Sequence, residues 1–306
     1  MRYISSMRKM CNMEINPKYL PALGRLFTPI VMDSLVQKGY SPYLSEVCAN
    51  SGLLEKLDYS TTLGQFFDSA YHLLFKSYRN EYIYKNVIAN KILLGKHSLN
   101  TSQMLTEFRV GKNKADVVIL NGTTTVYEIK SQYDSFTRLE KQIQSYFEIF
   151  DYINVITTSS HAKKLDTILP EKAGILVLTD RNTISTIREP KPNKENINPA
   201  ILFDSLRKPE YMRIIKKYYG TIPDVSNTQI YRECKKLYCK IPPIYANELT
   251  VEALKGRNNS KILKDFIDKA PSSMSAYAIS IGGHGKKLHK IMALFDNTID
   301  SLLEKI

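Results

Sequence analysis

Three charged residues fall on two consecutive predicted strands of the chain. Asp116 precedes the apolar run Val117–Leu120, and the next strand carries Glu128 and Lys130 with one residue between them. Side chains alternate between the two faces of a strand, so Glu128 and Lys130 point to the same side, beside Asp116 if the strands pair. Carboxylates held together repel, and a partly buried lysine is costly, so stability alone does not explain this cluster. A divalent cation would compensate it.

The strands that must position these residues are predicted from alternating apolar side chains. Met104–Val110, Ala115–Leu120 and Thr124–Lys130 each show this alternation, and Asn121-Gly122 is a strong hairpin signal between the second and the third. We therefore expect an antiparallel meander in which the strand of Asp116 lies beside the strand of Glu128.

An amphipathic helix is predicted over Thr137–Asp151, after the meander. Two further strands are predicted at Ile153–Thr157 and Gly174–Thr179, with a short helix at Ser160–Leu169 between them and a small β tail through Ile187. A helix that crosses between strands favours right-handed parallel addition to a sheet. The order of elements predicts an α/β sandwich.

Helical patterns flank this core on both sides. Tyr19–Lys76 shows no strand alternation, and Asn80–Leu94 predicts a helix that stops at Gly95. After a proline-rich linker, Leu202–Tyr219 and Thr228–Lys240 are also predicted as helices. We divide the chain into a helical N-terminal region at residues 1–77, an α/β core at 78–192 and a helical, basic C-terminal region at 193–306.

The composition indicates an intracellular protein with a polyanionic partner. The chain has 306 residues, is 43% hydrophobic and carries a formal net charge of +13, which makes nucleic acid the first partner to consider and an anionic membrane surface the second. The four cysteines lack C-x-x-C spacing, which favours reduced thiols in the cytoplasm. No apolar run is long enough to span a bilayer, and Met1–Met13 lacks the apolar core of a signal peptide. We expect no membrane partner.

The candidate residues occur in a recognisable order along the chain. Glu81 on a helix, Asp116, the Glu128-x-Lys130 strand and a helix with Gln142-x-x-x-Tyr146 together resemble the PD-(D/E)xK, or restriction-endonuclease-like, nuclease superfamily. The resemblance covers about residues 78–192 and extends to a largely uncharacterised bacterial subfamily sometimes found beside mobile or defence elements. Ala115 stands where the motif has proline, but many members of the superfamily also lack that proline.

The resemblance implies a fold, a cofactor and a role for each residue. The fold would be a mixed sheet flanked by helices, with all-α N-terminal and C-terminal regions. Asp116 and Glu128 would bind Mg²⁺ or Mn²⁺, which prefer hard oxygen ligands, and Glu81 would complete or support the metal site. Lys130 would face the reacting phosphate, with Gln142 and Tyr146 beside it. The implied activity is metal-dependent hydrolysis of nucleic acid, with DNA as the preferred substrate.

Other interpretations of the same residues remain open. Glu-x-Lys occurs by chance on the solvated face of many sheets, and Glu81 could be an acid favourably placed near a helix N-terminus. Tyr146 lies on an apolar stripe, so packing explains it as well as function does, and a solvated role is favoured for Glu107 on the first strand. The alternative function is a catalytically silent nucleic-acid-binding module with a nuclease-like fold. A toxin or defence effector with a partner chain, and a homodimer, are also left open.

A basic segment follows the core. Residues 205–240 hold nine Lys or Arg against three acids, and five tyrosines lie among them. This composition fits neutralisation of a phosphate backbone with base stacking, and it fits packing of solvated helices equally well. The candidate nucleic-acid contacts are Tyr146, Arg213, Lys216, Lys217, Arg232, Lys235 and Lys236.

Overall fold

The computed structural model describes residues 15–53, 55, 58, 60–257, 260–282 and 284–303. The N-terminal segment that was analysed for a signal peptide, including Cys11, lies outside the described residues. Cys48, Cys234 and Cys239 are free thiols. Within the described part of the chain, no helix has the length and apolar character needed to cross a membrane.

The described chain contains both helices and strands, and the predicted α/β class is confirmed. The strands are β1 (Gln103–Val110), β2 (Asn113–Leu120), β3 (Thr124–Lys130), β4 (Tyr152–Thr157), β5 (Gly174–Leu178) and β6 (Ile184–Arg188). The α-helices are α1 (Leu20–Arg25), α2 (Pro29–Lys38), α3 (Pro42–Ser51), α4 (Leu63–Ser77), α5 (Glu81–Ile88), α6 (Leu94–Lys96), α7 (Leu139–Phe147), α8 (Ser159–Ile168), α9 (Pro199–Asp204), α10 (Lys208–Tyr219), α11 (Ile230–Tyr238), α12 (Pro243–Lys255), α13 (Ser260–Lys269), α14 (Ser275–Ser280) and α15 (Gly285–Met292). A π-helical turn, Ala89–Leu93, follows α5, and short 3₁₀ turns occur at Pro17–Tyr19, Lys194–Asn196, Ser272–Met274 and Ile299–Leu302.

The six strands form one mixed sheet in sequential order. β1, β2 and β3 are antiparallel neighbours, β4 and β5 add in parallel to β3, and β6 closes the far edge in antiparallel. The predicted meander and the predicted parallel addition across the helices are both present. The hairpin between β2 and β3 uses Asn121-Gly122-Thr123, and Gly122 has a φ of +70° there, a conformation that glycine adopts without steric cost.

The chain divides into two compact units, one formed by residues 1–90 with 259–306 and the other by residues 91–258. The first unit is helical, and its core includes the edge-to-face contact of Phe67 with Phe295, at 6.4 Å between ring centroids. A backbone bridge between Thr62 and Thr298 also ties its two segments together. The second unit contains the sheet with α6 to α12.

This division differs from the predicted one because some of the helices after residue 193 belong to one unit and some to the other. Apolar residues of α9 to α12, such as Phe203, Ile215 and Tyr238, share one continuous core with Val155 of the sheet and Phe150. The helices after residue 260 instead belong to the unit of the N-terminal helices. The predicted C-terminal region at 193–306 is therefore not one body.

The single helix predicted over Leu202–Tyr219 is two helices, α9 and α10. Pro209 has no N–H to donate, and its ring would clash with the carbonyl of Ser205 in a continuous helix. Arg207 accordingly has an extended backbone, with φ −82° and ψ 158°, and caps the new helix. The sequence pattern of apolar residues continues across this break, which is why periodicity alone did not reveal it.

Candidate active site

Asp116 and Glu128 lie on adjacent antiparallel strands at neighbouring positions. Val117 of β2 pairs with Tyr127 of β3, so Asp116 and Glu128 are the next residue along each strand. The Oδ2 atom of Asp116 accepts a hydrogen bond of 2.8 Å from the backbone N–H of Ile129. This bond fixes the Asp116 carboxylate against the strand that carries Glu128.

Glu128 is a buried carboxylate with a partner on each oxygen. Its exposed fraction is 1%. Its Oε1 atom lies 3.0 Å from the Lys130 Nζ atom, and its Oε2 atom accepts a hydrogen bond of 2.7 Å from the Tyr146 hydroxyl. A buried charge needs such partners, because moving an ion out of water costs on the order of several kcal/mol. The same-side orientation of Glu128 and Lys130, predicted from strand alternation, is present.

Lys130 stands at the end of β3 and is held by three different elements. Its Nζ atom contacts Glu128 of the same strand and donates to Gln142 Oε1 on α7 at 3.1 Å. Its carbonyl oxygen accepts a bond of 2.6 Å from the Thr157 hydroxyl at the end of β4. The lysine side chain is 12% exposed, so most of it is buried and a small part is open to solvent.

Helix α7 supplies Gln142 and Tyr146 from one face. The two residues are four apart, a spacing that places side chains on the same side of a helix, and the intervening Ile143 is buried in the core. The Tyr146 oxygen lies 2.7 Å from Glu128 and 2.9 Å from the carbonyl oxygen of Lys114 on β2. The helix thereby links β2 and β3 at the point where the charged residues lie.

Tyr146 is completely buried, which corrects its prediction as a nucleic-acid contact. Its ring packs edge-to-face on Phe150, with 5.9 Å between centroids, and its hydroxyl binds Glu128. Tyr146 therefore both packs in the core, through its ring, and supports the site, through the bond of its hydroxyl to the Glu128 carboxylate.

The electrostatics of the site follow from burial. Burial raises the pKa of Glu128 above its ordinary value of 4.5, and the Lys130 charge and hydrogen bonds from Tyr146, Lys130 and Gln142 oppose that rise. Burial also raises the pKa of Tyr146, and the negative charges of Glu128 and Asp116 raise it further. Tyr146 therefore stays a neutral hydrogen-bond donor at every physiological pH.

Glu107 of β1 is positioned next to Asp116. The flanking residues pair as Thr106 with Val117 and Phe108 with Ala115, and Glu107 itself has a φ of +54°, which is uncommon for a residue other than glycine. One of its carboxylate oxygens lies within 4.8 Å of an Asp116 oxygen. Its side chain is exposed and forms an ion pair of 2.7 Å with Lys114. The expectation of a solvated Glu107 thus agrees with its exposure, although it also faces a second carboxylate.

Glu81 is the first residue of α5 and belongs to the helical unit. The Asn80 side chain caps this helix by accepting a bond of 3.3 Å from the N–H of Ile83. Glu81 forms an ion pair of 2.5 Å with Lys85, one turn later. This local arrangement is also that of an ordinary first-turn acid, and the contribution of Glu81 to metal binding stays a prediction.

The two carboxylates on β2 and β3 are of the donor type that suits a divalent cation such as Mg²⁺. Asp116 and Glu128 offer hard carboxylate oxygens, which Mg²⁺ and Mn²⁺ prefer. The two residues lie opposite each other on adjacent antiparallel strands, so their side chains leave the sheet on the same face. Glu128 is buried with a raised pKa, and a bound cation would offset the cost of its negative charge.

The basic residues predicted as nucleic-acid contacts lie on α10 and α11 and differ in their partners. Four of them are held in ion pairs with acids of the same unit: Lys217 with Glu252, Lys235 with Asp204, and both Arg232 and Lys236 with Glu233. Arg213 and Lys216 are exposed, and among the described residues neither forms an ion pair. Nothing in the sequence distinguishes these six basic residues, but in the described structure four of them are paired with acids and two are not.

Two groups at the site were missed by the sequence analysis. Thr157 holds the backbone of Lys130, and the Lys114 carbonyl oxygen lies 2.9 Å from the Tyr146 hydroxyl oxygen. A signal for Thr157 existed, because parallel strands end at a common edge of the sheet. The register that pairs Thr157 with Lys130, however, is not specified by the sequence of either strand alone. The Lys114 contact is made by a backbone atom, which leaves no signal in residue type.

Comparison with known proteins identifies one family. The family model described as bacteriophage P4 protein cII matches residues 75–276. Protein cII of Enterobacteria phage P4 is 20% identical over 182 residues, which is 58% of this chain and 67% of that protein. No solved structure matches the chain. The matched residues include β1 to β6 and every residue of the candidate site.

Proposed function

The chain belongs to the bacteriophage P4 protein cII family, and from its candidate site we propose that it is a metal-dependent nuclease with a restriction-endonuclease-like core. It would hydrolyse phosphodiester bonds of nucleic acid, with DNA as the preferred substrate. A role in defence or in the biology of mobile elements is part of the proposal, and a relative from a bacteriophage is compatible with it.

One observation carries the proposal: the Glu128 carboxylate, which is 1% exposed, is held by Lys130 and Tyr146 beside the Asp116 carboxylate. A purely structural core favours apolar side chains at such positions, because replacing a buried ion pair with hydrophobic residues is often neutral or stabilising. A buried carboxylate with a raised pKa, grouped with a lysine, is instead typical of sites that do chemistry. The mixed sheet, with α7 packed beside β2 and β3, supports the finer fold proposal.

The residues of the site have distinct proposed roles. Asp116 and Glu128 would hold Mg²⁺ or Mn²⁺. The ion supplies charge neutralisation at the phosphate and a water of lowered pKa when it is bound. Tyr146 keeps the Glu128 carboxylate in one orientation, because its hydroxyl also lies within hydrogen-bonding distance of a fixed backbone carbonyl. Gln142 holds the ammonium of Lys130.

Lys130 is suited to bind the phosphate that reacts. An ammonium has three N–H donors, and two are engaged by Glu128 and Gln142. The third can donate to a phosphate oxygen and stabilise the negative charge that develops there. Because the Thr157 bond fixes the Lys130 backbone, the ammonium reaches the phosphate from a defined position.

Cleavage of labelled nucleic acid tests the proposal. Single-stranded DNA, duplex DNA and RNA are incubated with Mg²⁺, Mn²⁺ or EDTA, using wild type, Asp116→Asn and Lys130→Met. We expect metal-dependent cleavage by wild type and a loss of about a hundredfold or more in each variant, the size seen when an electrostatic group is removed from an active site. Glu171→Gln, which changes an exposed carboxylate paired with Lys191, is the matched control and should cleave like wild type.

Metal binding gives a readout that does not depend on cleavage. Titration of Mn²⁺ by calorimetry should give one binding isotherm for wild type and Glu171→Gln and a strongly weakened one for Asp116→Asn. If wild type binds nucleic acid but cleaves none of the three substrates, and Asp116→Asn binds Mn²⁺ as wild type does, the nuclease proposal is wrong. The catalytically silent binding module would then be the better description.

A further inference from the structure

The C-terminal ends of α10 and α11 meet at an exposed surface that the proposed reaction does not use. We name it the tyrosine–lysine surface and define it by Lys216, Tyr218, Tyr219 and Lys240. The Tyr219 hydroxyl donates a bond of 2.9 Å to the carbonyl oxygen of Leu237, and the backbone N–H of Lys240 donates to the same oxygen at 3.0 Å. These two bonds place residues from the ends of both helices side by side.

The two tyrosines present aromatic rings to solvent. Tyr218 is 43% exposed and Tyr219 is 37% exposed, although large aromatic side chains are usually well buried. Their rings contact each other edge to face, with 4.9 Å between centroids. Because Tyr219 is anchored through its hydroxyl, the pair is held in place without being covered.

The charge of the surface is positive. Three acids of the neighbouring helices are engaged by other basic residues: Glu252 binds Lys217, Glu233 binds Arg232 and Lys236, and Asp204 binds Lys235. Lys216 lies one helical turn before Tyr219, at a spacing that makes their side chains neighbours. Across the described ranges of the chain, neither Lys216 nor Lys240 takes part in an ion pair, and both are exposed.

We infer that the tyrosine–lysine surface binds single-stranded nucleic acid. Exposed aromatic faces stack on unpaired bases of any sequence, and lysines beside them neutralise the backbone phosphates. The bases of a duplex are stacked on each other and are not available to the tyrosines, so the surface selects single strands. The inference deepens the proposed function and rests on it, because the bound single strand would be a substrate only if the protein is a nuclease. Binding to the surface itself needs neither metal nor catalysis.

Fluorescence anisotropy of labelled oligonucleotides tests this inference. The full chain carrying Asp116→Ala is titrated in EDTA against oligothymidylate, oligouridylate and a duplex of the same length, at several salt concentrations. We expect at least one of the two single strands to bind about tenfold more tightly than the duplex. The tighter of the two single strands shows whether the surface prefers the DNA or the RNA oligonucleotide of this pair.

Variants of the surface localise the binding. Tyr218→Ala should weaken binding of the single strand about tenfold, while Tyr218→Phe, which keeps the ring, should bind like the parent. Lys216→Ala and Lys240→Ala should each reduce the slope of log affinity against log salt by about 0.7. The matched controls Ile187→Ala and Lys172→Ala change an exposed apolar residue on β6 and an exposed lysine before β5, and they should have no effect.

The outcomes separate this inference from the proposed function. If Tyr218→Ala binds like Ile187→Ala, or the duplex binds as tightly as the single strands, the tyrosine–lysine surface is not the binding site. If the variants weaken binding as expected but the wild type never cleaves, the surface stands and the nuclease proposal fails. Thermal unfolding of each variant confirms that the compared proteins are folded.

Discussion

Replacement of Tyr146 by phenylalanine removes one hydroxyl from the buried carboxylate of Glu128 and leaves the shape of the core unchanged. The lost contacts are the 2.7 Å bond to Glu128 Oε2 and the approach of 2.9 Å to the Lys114 carbonyl. The exposed fraction of Glu128 is 1%, so little solvent is available to replace the lost hydroxyl. Tyr146→Phe therefore leaves a charged oxygen with an unmade hydrogen bond.

The expected loss of stability is about 2 kcal/mol. A hydrogen bond to a charged group contributes about 1.5–3 kcal/mol, compared with about 1 kcal/mol for a neutral pair. For a unit of this size, 1 kcal/mol corresponds to about 2–4 °C in Tm. Tyr146→Phe should therefore lower the Tm of the sheet-containing unit by about 4–8 °C at neutral pH.

The loss should depend on pH, with a sign that follows from the Glu128 pKa. Burial raises this pKa above 4.5, and the Tyr146 hydroxyl opposes the rise, so Tyr146→Phe raises it further. A carboxyl group with a raised pKa in the folded state binds protons more readily when folded, so its contribution to stability falls as pH rises through that pKa. The difference between wild type and Tyr146→Phe should be smallest near pH 4.5 and grow towards neutral pH.

Thermal and urea unfolding between pH 4.5 and 8 measures this difference. Tyr238→Phe is the matched control: its buried hydroxyl in the same unit bonds to the Ala246 carbonyl and to Thr250, which are neutral groups. It should lose about 1 kcal/mol, equally at every pH. If the loss in Tyr146→Phe is as independent of pH as the loss in Tyr238→Phe, the assigned bond to an ionised Glu128 is wrong.

Two further substitutions test other features of the second unit. Glu107→Gly should stabilise the protein by about 1 kcal/mol, because glycine adopts the φ of +54° without the steric cost that other residues have. Arg109→Gly, on the same strand, is the control and should destabilise the protein in the same urea titration. Equal effects of the two substitutions would show that Glu107 is unstrained. Arg257→Leu should cost about 3–5 kcal/mol of unfolding free energy, because it leaves the buried Glu210 carboxylate without its two-pronged partner. A loss under 1 kcal/mol in Arg257→Leu would contradict that assignment.

Local patterns in the sequence predicted the elements of the sheet well. The bounds of β3 are those predicted, and the others differ by one or two residues, because alternation and turn residues are local signals. The shared side of Glu128 and Lys130 followed from the same alternation. The placement of Gln142 and Tyr146 beside these residues came from the family resemblance and not from a local pattern.

Long-range relations were not predictable in the same way. The contact of Thr157 with Lys130 depends on the register between two strands, which neither strand specifies alone. Glu107 has a positive φ although both of its neighbours pair with β2, and no local pattern of residue types predicts this. The ion pairs that engage Lys217 and Lys235 need acids 35 and 31 residues away, so a count of charges over a short segment overstated the free positive charge.

The discontinuous helical unit has a consequence for synthesis on the ribosome. Phe67 of α4 packs on Phe295, yet residues 91–258 must be translated between the two segments of that unit. At roughly 5–20 residues per second this takes about 10–30 s. During that time apolar side chains that pack on the C-terminal segment, such as Phe67, lack that part of their packing, while the sheet-bearing unit can already fold. The helical unit would be the part of the newborn chain that most needs a chaperone.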